Sequence, residues 1–208
     1  MFESVLTPET RETLVRLGEW TARRKFYLAG GTGCALHLGH RMSHDLDFFS
    51  LRAFEPADIQ RELRTLGEAS ADYTDAGTWV GNFESTKVSF FAYAYPLLRP
   101  VLSHQTISVA SLEDIGCMKI EAIAARGRKR DFVDLFFVLI QTAIPLKTFL
   151  DLFGRKYRRD RINLFHILKS LTYFVDAEAD PEPIMQVPFS WAELKTFLAG
   201  QVKSIALV

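Results

Sequence analysis

The feature that most constrains the fold is a change in residue pattern near Pro96 and Pro100. Before it, short aromatic and β-branched stretches alternate with helical ones, which is typical of a mixed sheet with flanking helices. From Ser111 onward nearly every stretch has helical periodicity. The 208 residues, 48% of them hydrophobic, are enough to bury a core. The sequence therefore predicts an α+β fold: a small mixed β-sheet core over residues 1–100, and a helical half over 101–208 that packs on it and completes a cleft.

Caps, chain breakers and periodicity predict the individual elements. Helices are predicted at residues 7–22, 32–38, 56–66, 111–126, 131–141, from 145, at 160–175 and from 191. Strands are predicted at residues 26–29, 46–49, 71–74, 78–83 and 87–95.

Charge and cysteine content limit the class of protein. The 25 basic residues balance the 25 acidic ones, so any affinity for nucleic acid must come from local clusters. Cys34 and Cys117 lie among apolar residues, which suits a reducing compartment. The amino terminus has no signal pattern, and the longest apolar run, Leu135 to Ile140, is far below the roughly 20 residues that span a bilayer. A soluble, cytoplasmic protein with no membrane partner is expected.

A pair of acids lies two residues apart at Asp45 and Asp47. On a strand, both side chains project from one face, where carboxylate oxygens can bind Mg²⁺. Two such ions about 4 Å apart can hold the attacking and leaving oxygens of a phosphoryl transfer. The alternative is a solvated edge strand with alternating acids. Leu46, Phe48 and Phe49 argue against it, because they place Asp47 close to the core.

Gly30 and Gly31 stand where a predicted strand turns into a helix, and Thr32 follows. Glycines there let backbone N–H groups approach a triphosphate, and the helix amino terminus favours its negative charge. An ordinary tight turn is the alternative, and the other familiar phosphate-loop patterns are absent. The combination of this turn with two acids about 15 residues later predicts a phosphate and metal site.

Two blocks of sequence resemble a known family. Gly30-Gly31-Thr32, followed by the stretch from Gly39 to Phe49, resembles the GG(S/T)…D-x-D signature of polymerase-beta-like nucleotidyltransferases, and more narrowly that of AbiEii-type toxin nucleotidyltransferases. The stretch from Lys119 to Leu135 is similar to the same family's downstream K…A…R…D-x-x-D-L block. The resemblance covers roughly residues 25 to 140.

The resemblance implies a nucleotidyltransferase core and an enzyme that moves an NMP from an NTP to an acceptor hydroxyl, with release of pyrophosphate. It implies Asp45 and Asp47 as ligands of one or two Mg²⁺ ions, and Asp131 as a base or further acid. It implies nucleotide contacts from Gly30, Gly31, Thr32, Arg41, Ser43 and Lys119. Periodicity adds that Lys119 lies on a core-facing helix stripe, so it needs a counter-charge such as Asp131 or a metal-bound triphosphate.

One position departs from the family pattern. Ser89 stands where polymerase-beta-like enzymes generally place a third carboxylate on a neighbouring strand. Three readings stay open: Asp131 takes over that role, catalysis is weak, or the chain is a nucleotide-binding regulatory protein.

Two basic runs are candidate nucleic-acid contacts, although a solvated face is the usual explanation of such runs. They comprise Arg126, Arg128, Lys129, Arg130, Arg155, Lys156, Arg158 and Arg159. The resemblance suggests a tRNA 3′ end as acceptor and a cognate antitoxin as partner. A protein or small-molecule hydroxyl is the other acceptor considered.

A zinc site made by His37, His40 and His44 is a weaker alternative. Two of these histidines are one helical turn apart, but Gly39 interrupts the helix and no clear fourth ligand follows.

Overall fold

The computed structural model describes residues 1–158 and 163–206. In that part of the chain the helices are α1 Pro8–Arg23, α2 Gly30–Leu38, α3 Pro56–Leu66, α4 Leu112–Arg126, α5 Lys129–Thr142, α6 Leu146–Tyr157, α7 Leu164–Ser170, α8 Val175–Glu178 and α9 Trp191–Ala206. The strands are β1 Tyr27–Leu28, β2 Leu46–Ser50, β3 Ala69–Asp75, β4 Thr78–Phe83, β5 Thr86–Ala92, β6 Leu102–His104 and β7 Ile107–Val109.

All seven strands form one mixed sheet in the order β3-β4-β5-β2-β1-β7-β6. Strand β2 pairs in parallel with β5 and antiparallel with β1, and β1 pairs in parallel with β7. The predicted α+β class with a mixed sheet followed by helices is confirmed.

Local chemistry fixes several helix ends as predicted. The Thr7 hydroxyl accepts a hydrogen bond from the Thr10 N–H at the start of α1, and the Ser111 hydroxyl does the same for the Asp114 N–H at the start of α4. Helix α2 ends at Gly39, whose φ of 65° is the left-handed conformation that favours glycine.

Two apolar cores lie on opposite faces of the sheet. Phe48, Trp79 and Phe90 belong to the core that includes residues of α1 and α3, and all three are fully buried. Tyr27 belongs to the second core, which is built largely by α4, α5 and α6, and Phe49 packs against it. Because side chains alternate along a strand, Asp47 and Phe49 lie on the face that packs against α4, α5 and α6.

Two predictions about the secondary structure are wrong. Residues 102–109 form the hairpin β6–β7, so the sheet ends at Val109 rather than at residue 100. Strands of three residues show no periodicity, and it is pairing with β1 that stabilises β7. The single helix predicted at 160–175 is replaced by α7 and α8, separated by a turn, while residues 160–162 lie outside the described residues.

Cys34 and Cys117 are buried free thiols. No single helix among the described residues is long and apolar enough to cross a membrane. The consecutive helices α5 and α6 would together be long and apolar enough, by length and composition only, but the chain bends by 110° between them.

Candidate active site

A cavity of about 490 Å³ opens between the sheet, the start of α2 and helices α4 and α5. The site residues predicted from sequence all line this cavity: Gly30, Gly31, Thr32, Arg41, Ser43, Asp45, Asp47, Lys119 and Asp131. Two members of the first basic run, Arg126 and Arg130, also line it. The fold therefore brings together residues as distant in the sequence as Gly30 and Asp131.

The two acids of the D-x-D pair lie at the start of β2. Asp45 precedes the strand and is partly exposed, with its Oδ2 3.8 Å from Arg130 Nη1. Burial raises the pKa of Asp47, and the negative charge of Asp45 raises it further, against the opposing effect of Lys119. The pair thus carries negative charge that the protein only partly compensates, which is the property expected of a divalent-cation site.

Gly30 is required at its position for two reasons. Its φ of 61° is left-handed, and a Cβ atom there would lie 2.7 Å from Asp47 Oδ2. It begins α2, so the N–H groups of the first helical turn, at the cavity wall, have no partner within the helix. The turn therefore offers backbone donors beside the carboxylate pair.

The hydroxyl of Thr32 is engaged inside the protein. Thr32 Oγ1 donates to the backbone carbonyl of Asp45 and accepts from Ser43 Oγ, with 2.7 Å between the two hydroxyl oxygens. Both residues are buried at the edge of the cavity. Their contacts fix the segment that leads into β2, so they position Asp45.

Lys119 forms ion pairs with two acids, and one of them, Asp131, is the counter-charge considered from the sequence. Its buried Nζ donates to Asp131 Oδ1 at 2.7 Å and lies 2.6 Å from Asp134 Oδ2. Asp131 also accepts from Arg126 Nε at 3.0 Å. Burial opposes ionisation of Asp131, but Lys119 and Arg126 outweigh it and lower its pKa. Such a carboxylate is a weak base, so the geometry favours Asp131 as a fixed charge over the base that the resemblance offers as one option.

Asp134, the second acid of the D-x-x-D-L block, is the main residue to which the sequence interpretation gave no role. It is fully buried, and Arg41 binds it through two nitrogens, Nε at 2.7 Å and Nη2 at 2.8 Å. His40 Nε2 lies 2.9 Å from its Oδ1. Burial works against the charge, yet Arg41 and Lys119 hold the pKa of Asp134 well below its usual range. Its position on an otherwise apolar helix, three residues after Asp131 and therefore on the same helix face, was the available signal.

Arg41, predicted to contact nucleotide, is thus committed to Asp134 while still lining the cavity. A Cβ atom on Gly31 would lie 2.6 Å from Arg41 Nη2. The guanidinium therefore packs directly under the glycine turn and ties it to α5.

The histidines do not form a common metal site in the described part of the chain. His37 Nε2 lies 2.8 Å from the Ala110 carbonyl, and His44 is exposed. Cys34, His40 and Asp134 come close enough to share an ion. However, the Asp134 carboxylate is already bound by two cationic side chains, which disfavours a further cation there.

Ser89 lies directly beside Asp47, because the two residues are register partners on β5 and β2. Its hydroxyl hydrogen bonds to Asp47 and thereby opposes the rise in the pKa of Asp47. The position expected for a third carboxylate is therefore next to the acid pair, and it carries a hydroxyl.

The larger side chains of the cavity that were given no role in the site from sequence include Phe49, Phe91, Tyr93 and Glu121. Phe49 and Phe91 follow Asp47 and Ser89 by two positions on their strands. Strand alternation could have placed them on the same face as the acid.

The basic runs divide into cavity, surface and buried residues. Arg126 and Arg130 line the cavity, Arg128 pairs with Asp180 at 2.7 Å, and Arg155 and Arg158 are exposed. Arg159 lies outside the described residues.

The prediction of nucleic-acid contact is wrong for two of the lysines. Lys129 is buried, with its Nζ 5.3 Å from the centre of the Trp191 ring. Lys156 is buried with its Nζ 2.7 Å from Asp114 Oδ1. Both ammonium groups support the fold and are withdrawn from solvent.

Comparison with known proteins identifies the family of the chain. The family model described as nucleotidyl transferase AbiEii toxin, type IV TA system, matches residues 13–99 and 95–203. An uncharacterised protein of Aquifex aeolicus (strain VF5) is 36% identical over 202 residues, which cover 95% of this chain and 96% of the relative.

Solved structures share the fold at low identity. A protein from Helicobacter pylori assigned as a nucleotidyltransferase superposes with a TM-score of 0.57 and 15% identity, covering 96% of this chain and 95% of its own. JHP933 from Helicobacter pylori gives 0.56 and 16%, with coverages of 98% and 92%. The antibiotic-resistance factor ANT(2'')-Ia gives 0.53 and 13%, with coverages of 77% and 97%. The chain belongs to the AbiEii toxin family and is a nucleotidyltransferase.

Proposed function

We propose that this nucleotidyltransferase uses Mg²⁺ to move an NMP from an NTP to a hydroxyl at an RNA 3′ end, and that it is the toxin of a toxin–antitoxin pair. The observation that carries the proposal is the shared cavity. Asp45 and Asp47 line the same cavity as the glycine turn and the cations Arg126 and Arg130.

The residues present fit a magnesium site. Asp45 and Asp47 would hold the ion, because both line the cavity, and burial together with the charge of Asp45 raises the pKa of Asp47. When bound, magnesium supplies positive charge that stabilises the transferring phosphate and its leaving group.

The protein's own groups bind and orient the triphosphate. Backbone N–H groups of the turn at Gly30 and Gly31, and Lys119 in the wall of the same cavity, favour the negative charge of the departing pyrophosphate. Arg126 and Arg130 add positive charge at the cavity wall. Most of the acceleration in this account comes from positioning and charge stabilisation, since Ser89 provides no carboxylate base.

A second cavity of about 550 Å³ supports an RNA acceptor. It adjoins the first, because Ala125 and Arg126 line both. His166, Lys169 and the exposed ring of Tyr173 also line it, and these groups suit a phosphate backbone and a stacked base. An RNA end lying in this groove would reach the carboxylate pair past Arg126.

Label transfer tests the proposal. Purified protein is incubated with Mg²⁺, each α-labelled NTP and total RNA, beside Asp45→Asn and Asp47→Asn. The matched control is Asp72→Asn, on the exposed strand β3 away from the cavity. We expect labelled RNA with wild type and the control, and at least about a 100-fold loss in both site variants.

Two outcomes would contradict the proposal as a whole, and a third would contradict only its acceptor. Transfer that survives both substitutions would remove the carboxylate pair from the site. Tight NTP binding without transfer to any acceptor would favour a nucleotide-binding regulatory protein, the alternative that Ser89 supports. Transfer to protein or small molecules, with RNA unlabelled, would reject the RNA acceptor alone.

The toxin role has a separate test. We expect expression of wild type to arrest bacterial growth, expression of Asp47→Asn to leave it normal, and co-expression of a cognate antitoxin to restore it. Growth arrest of equal strength with Asp47→Asn would contradict the role.

A further inference from the structure

The active-site cavity has two chemically different ends. One end holds the carboxylate pair and the arginines, and the other is formed by the half-buried rings of Phe49, Phe91 and Tyr93. The ring centres of Phe49 and Phe91 are 5.2 Å apart, and those of Phe49 and Tyr93 are 5.4 Å apart. Together these three residues are called the aromatic wall.

The sheet sets the spacing between the two ends. Phe49 pairs with Phe91 just as Asp47 pairs with Ser89, two residues earlier on each strand. The aromatic wall therefore lies on the same sheet face as Asp47, about 7 Å further along β2. A flat aromatic group joined to a phosphate by a linker of similar length would span both ends.

Glu121 projects from α4 into the same cavity. In the described part of the chain it makes no hydrogen bond or ion pair with another side chain. Burial raises the pKa of the Tyr93 phenol, and the charge of Glu121 raises it further. Burial also raises the pKa of Glu121 itself, against the opposing charge of Arg126. The strongest charges acting on Asp47 are those of Asp45, Lys119 and Arg130. Glu121 is thus close enough to act on Tyr93 of the aromatic wall and on Arg126, but it is not among the strongest charges that act on Asp47, so it does not replace the carboxylate absent at Ser89.

We infer that the aromatic wall holds the nucleobase of the donor NTP, and that Glu121 selects this base through an amino group on its edge. The inference rests on the proposed function. A stacking surface accepts any base, so discrimination has to come from a polar group beside it. An ionised carboxylate only accepts hydrogen bonds. Adenine, cytosine and guanine carry an exocyclic amino group, while uracil presents carbonyl oxygens there, which a carboxylate repels.

Nucleotide binding in the absence of acceptor tests the inference. Titration calorimetry with Mg²⁺ at about pH 8, where a glutamate is ionised, gives dissociation constants for ATP, CTP, GTP and UTP. We expect wild type to bind UTP about 10- to 100-fold more weakly than at least one amino-bearing NTP. In Glu121→Gln the side-chain amide both donates and accepts, so this difference should shrink to a few-fold.

Two further variants separate stacking from selection. Phe91→Ala should weaken binding of all four NTPs by about tenfold and leave their ranking unchanged. Glu113→Gln is the matched control, because Glu113 lies on the same helix but pairs with Arg99 at 3.1 Å and does not line the cavity. It should bind as wild type does.

Several results would overturn the inference. Wild type could bind all four NTPs with equal affinity, or bind none of them. Alternatively, UTP could bind Glu121→Gln as much more weakly than the other NTPs as it binds wild type. An effect of Glu121→Gln on acceptor use alone would assign the aromatic end to the acceptor's terminal base. Any of these, with transfer that depends on Asp47, leaves the proposed function standing. Selectivity through Glu121 with transfer that survives Asp47→Asn refutes the proposed function alone.

Discussion

At the scale of single residues, Asp47 shows how a functional group can work against stability. Burial and the charge of Asp45 both make its ionisation costly, so its pKa is raised in the folded protein. An acid whose pKa is higher in the folded state than in the unfolded state binds its proton more tightly when folded. At neutral pH it therefore lowers the free energy of unfolding, and a bound cation would reverse this cost.

We expect Asp47→Asn to raise the free energy of unfolding at pH 7 when divalent cations are absent. The neutral amide removes the cost of a buried, repelled charge. Urea denaturation monitored by circular dichroism measures the change. Added Mg²⁺ should stabilise wild type and not the variant. A variant less stable than wild type in the presence of EDTA would show that the Asp47 carboxylate is well compensated, contrary to this account.

Asp134 behaves in the opposite way. Its pKa lies well below the usual range because Arg41 and Lys119 stabilise its charge. The stability that it contributes is therefore complete above the unfolded pKa of about 4 and is lost as the pH falls toward the folded value.

Removing the Asp134 charge by Asp134→Asn should lower the free energy of unfolding at pH 7 by about 3–5 kcal/mol, because the buried Arg41 loses its acidic partner and the buried Lys119 loses one of its two. It should also flatten the loss of stability below about pH 4. Denaturation curves at several pH values measure both effects. The control, Glu178→Gln, breaks an exposed ion pair with Lys195 and should change little. A similar small change in Asp134→Asn would refute the structural role of the cluster.

At the scale of elements, α4 is the helix that joins the site to the second core. It carries Lys119 and Glu121 to the cavity, and its Gly116 packs against α6, where an added Cβ would lie 2.5 Å from Phe149 Cε1. Phe149 is fully buried and cannot move away easily. The small residue therefore sets how closely α6 approaches α4.

Gly116→Ala should destabilise the protein by about 1–3 kcal/mol through overpacking, against the usual preference for alanine in helices. Gly200→Ala in α9 is the matched control, because a Cβ there meets nothing within 4 Å. That change should stabilise the protein by up to about 1 kcal/mol. Denaturation midpoints compare the two, and equal stabilisation by both substitutions would contradict the packing described for α4 and α6.

The sequence predicts well those elements that carry their own signals. Helix α4 has a serine cap and a glycine stop, and α2 has its glycine turn. The hairpin at 102–109 was not predictable in the same way, because pairing with β1 stabilises it more than its own residues do.

The same distinction between local signals and distant partners applies to the site. Asp45, Asp47 and Lys119 were recognisable from spacing and periodicity together with the family resemblance. The internal hydrogen bonds of Thr32, and the burial of Lys156 beside Asp114, depend on partners from distant segments that no local pattern specifies.

At the scale of the whole molecule, the sheet and the helices build one site and share one core. Tyr27, Ala29 and Cys34, from the first half of the sequence, belong to the same apolar cluster as α4, α5 and α6. The buried ion pair between Arg41 and Asp134 also joins the two parts. The two parts should therefore not be stable independently.

We expect a single unfolding transition for the chain. In Trp191→Phe, the remaining tryptophans Trp20 and Trp79 lie in the core on the sheet's other face, so fluorescence reports that region. Far-UV circular dichroism reports mainly the helices. Coincident urea midpoints are expected from the two probes, while separate midpoints would mean that the sheet and the helical part unfold independently.

The central claim is that the carboxylate pair in this cavity directs attack at the α-phosphate of an NTP. Its most direct test compares α-labelled and γ-labelled NTP with Mg²⁺ and total RNA, using wild type and Asp47→Asn. The account predicts that wild type transfers the α label to RNA and releases the γ label as pyrophosphate, and that Asp47→Asn does neither. Transfer of the γ label to the acceptor, or undiminished α transfer by Asp47→Asn, would contradict it.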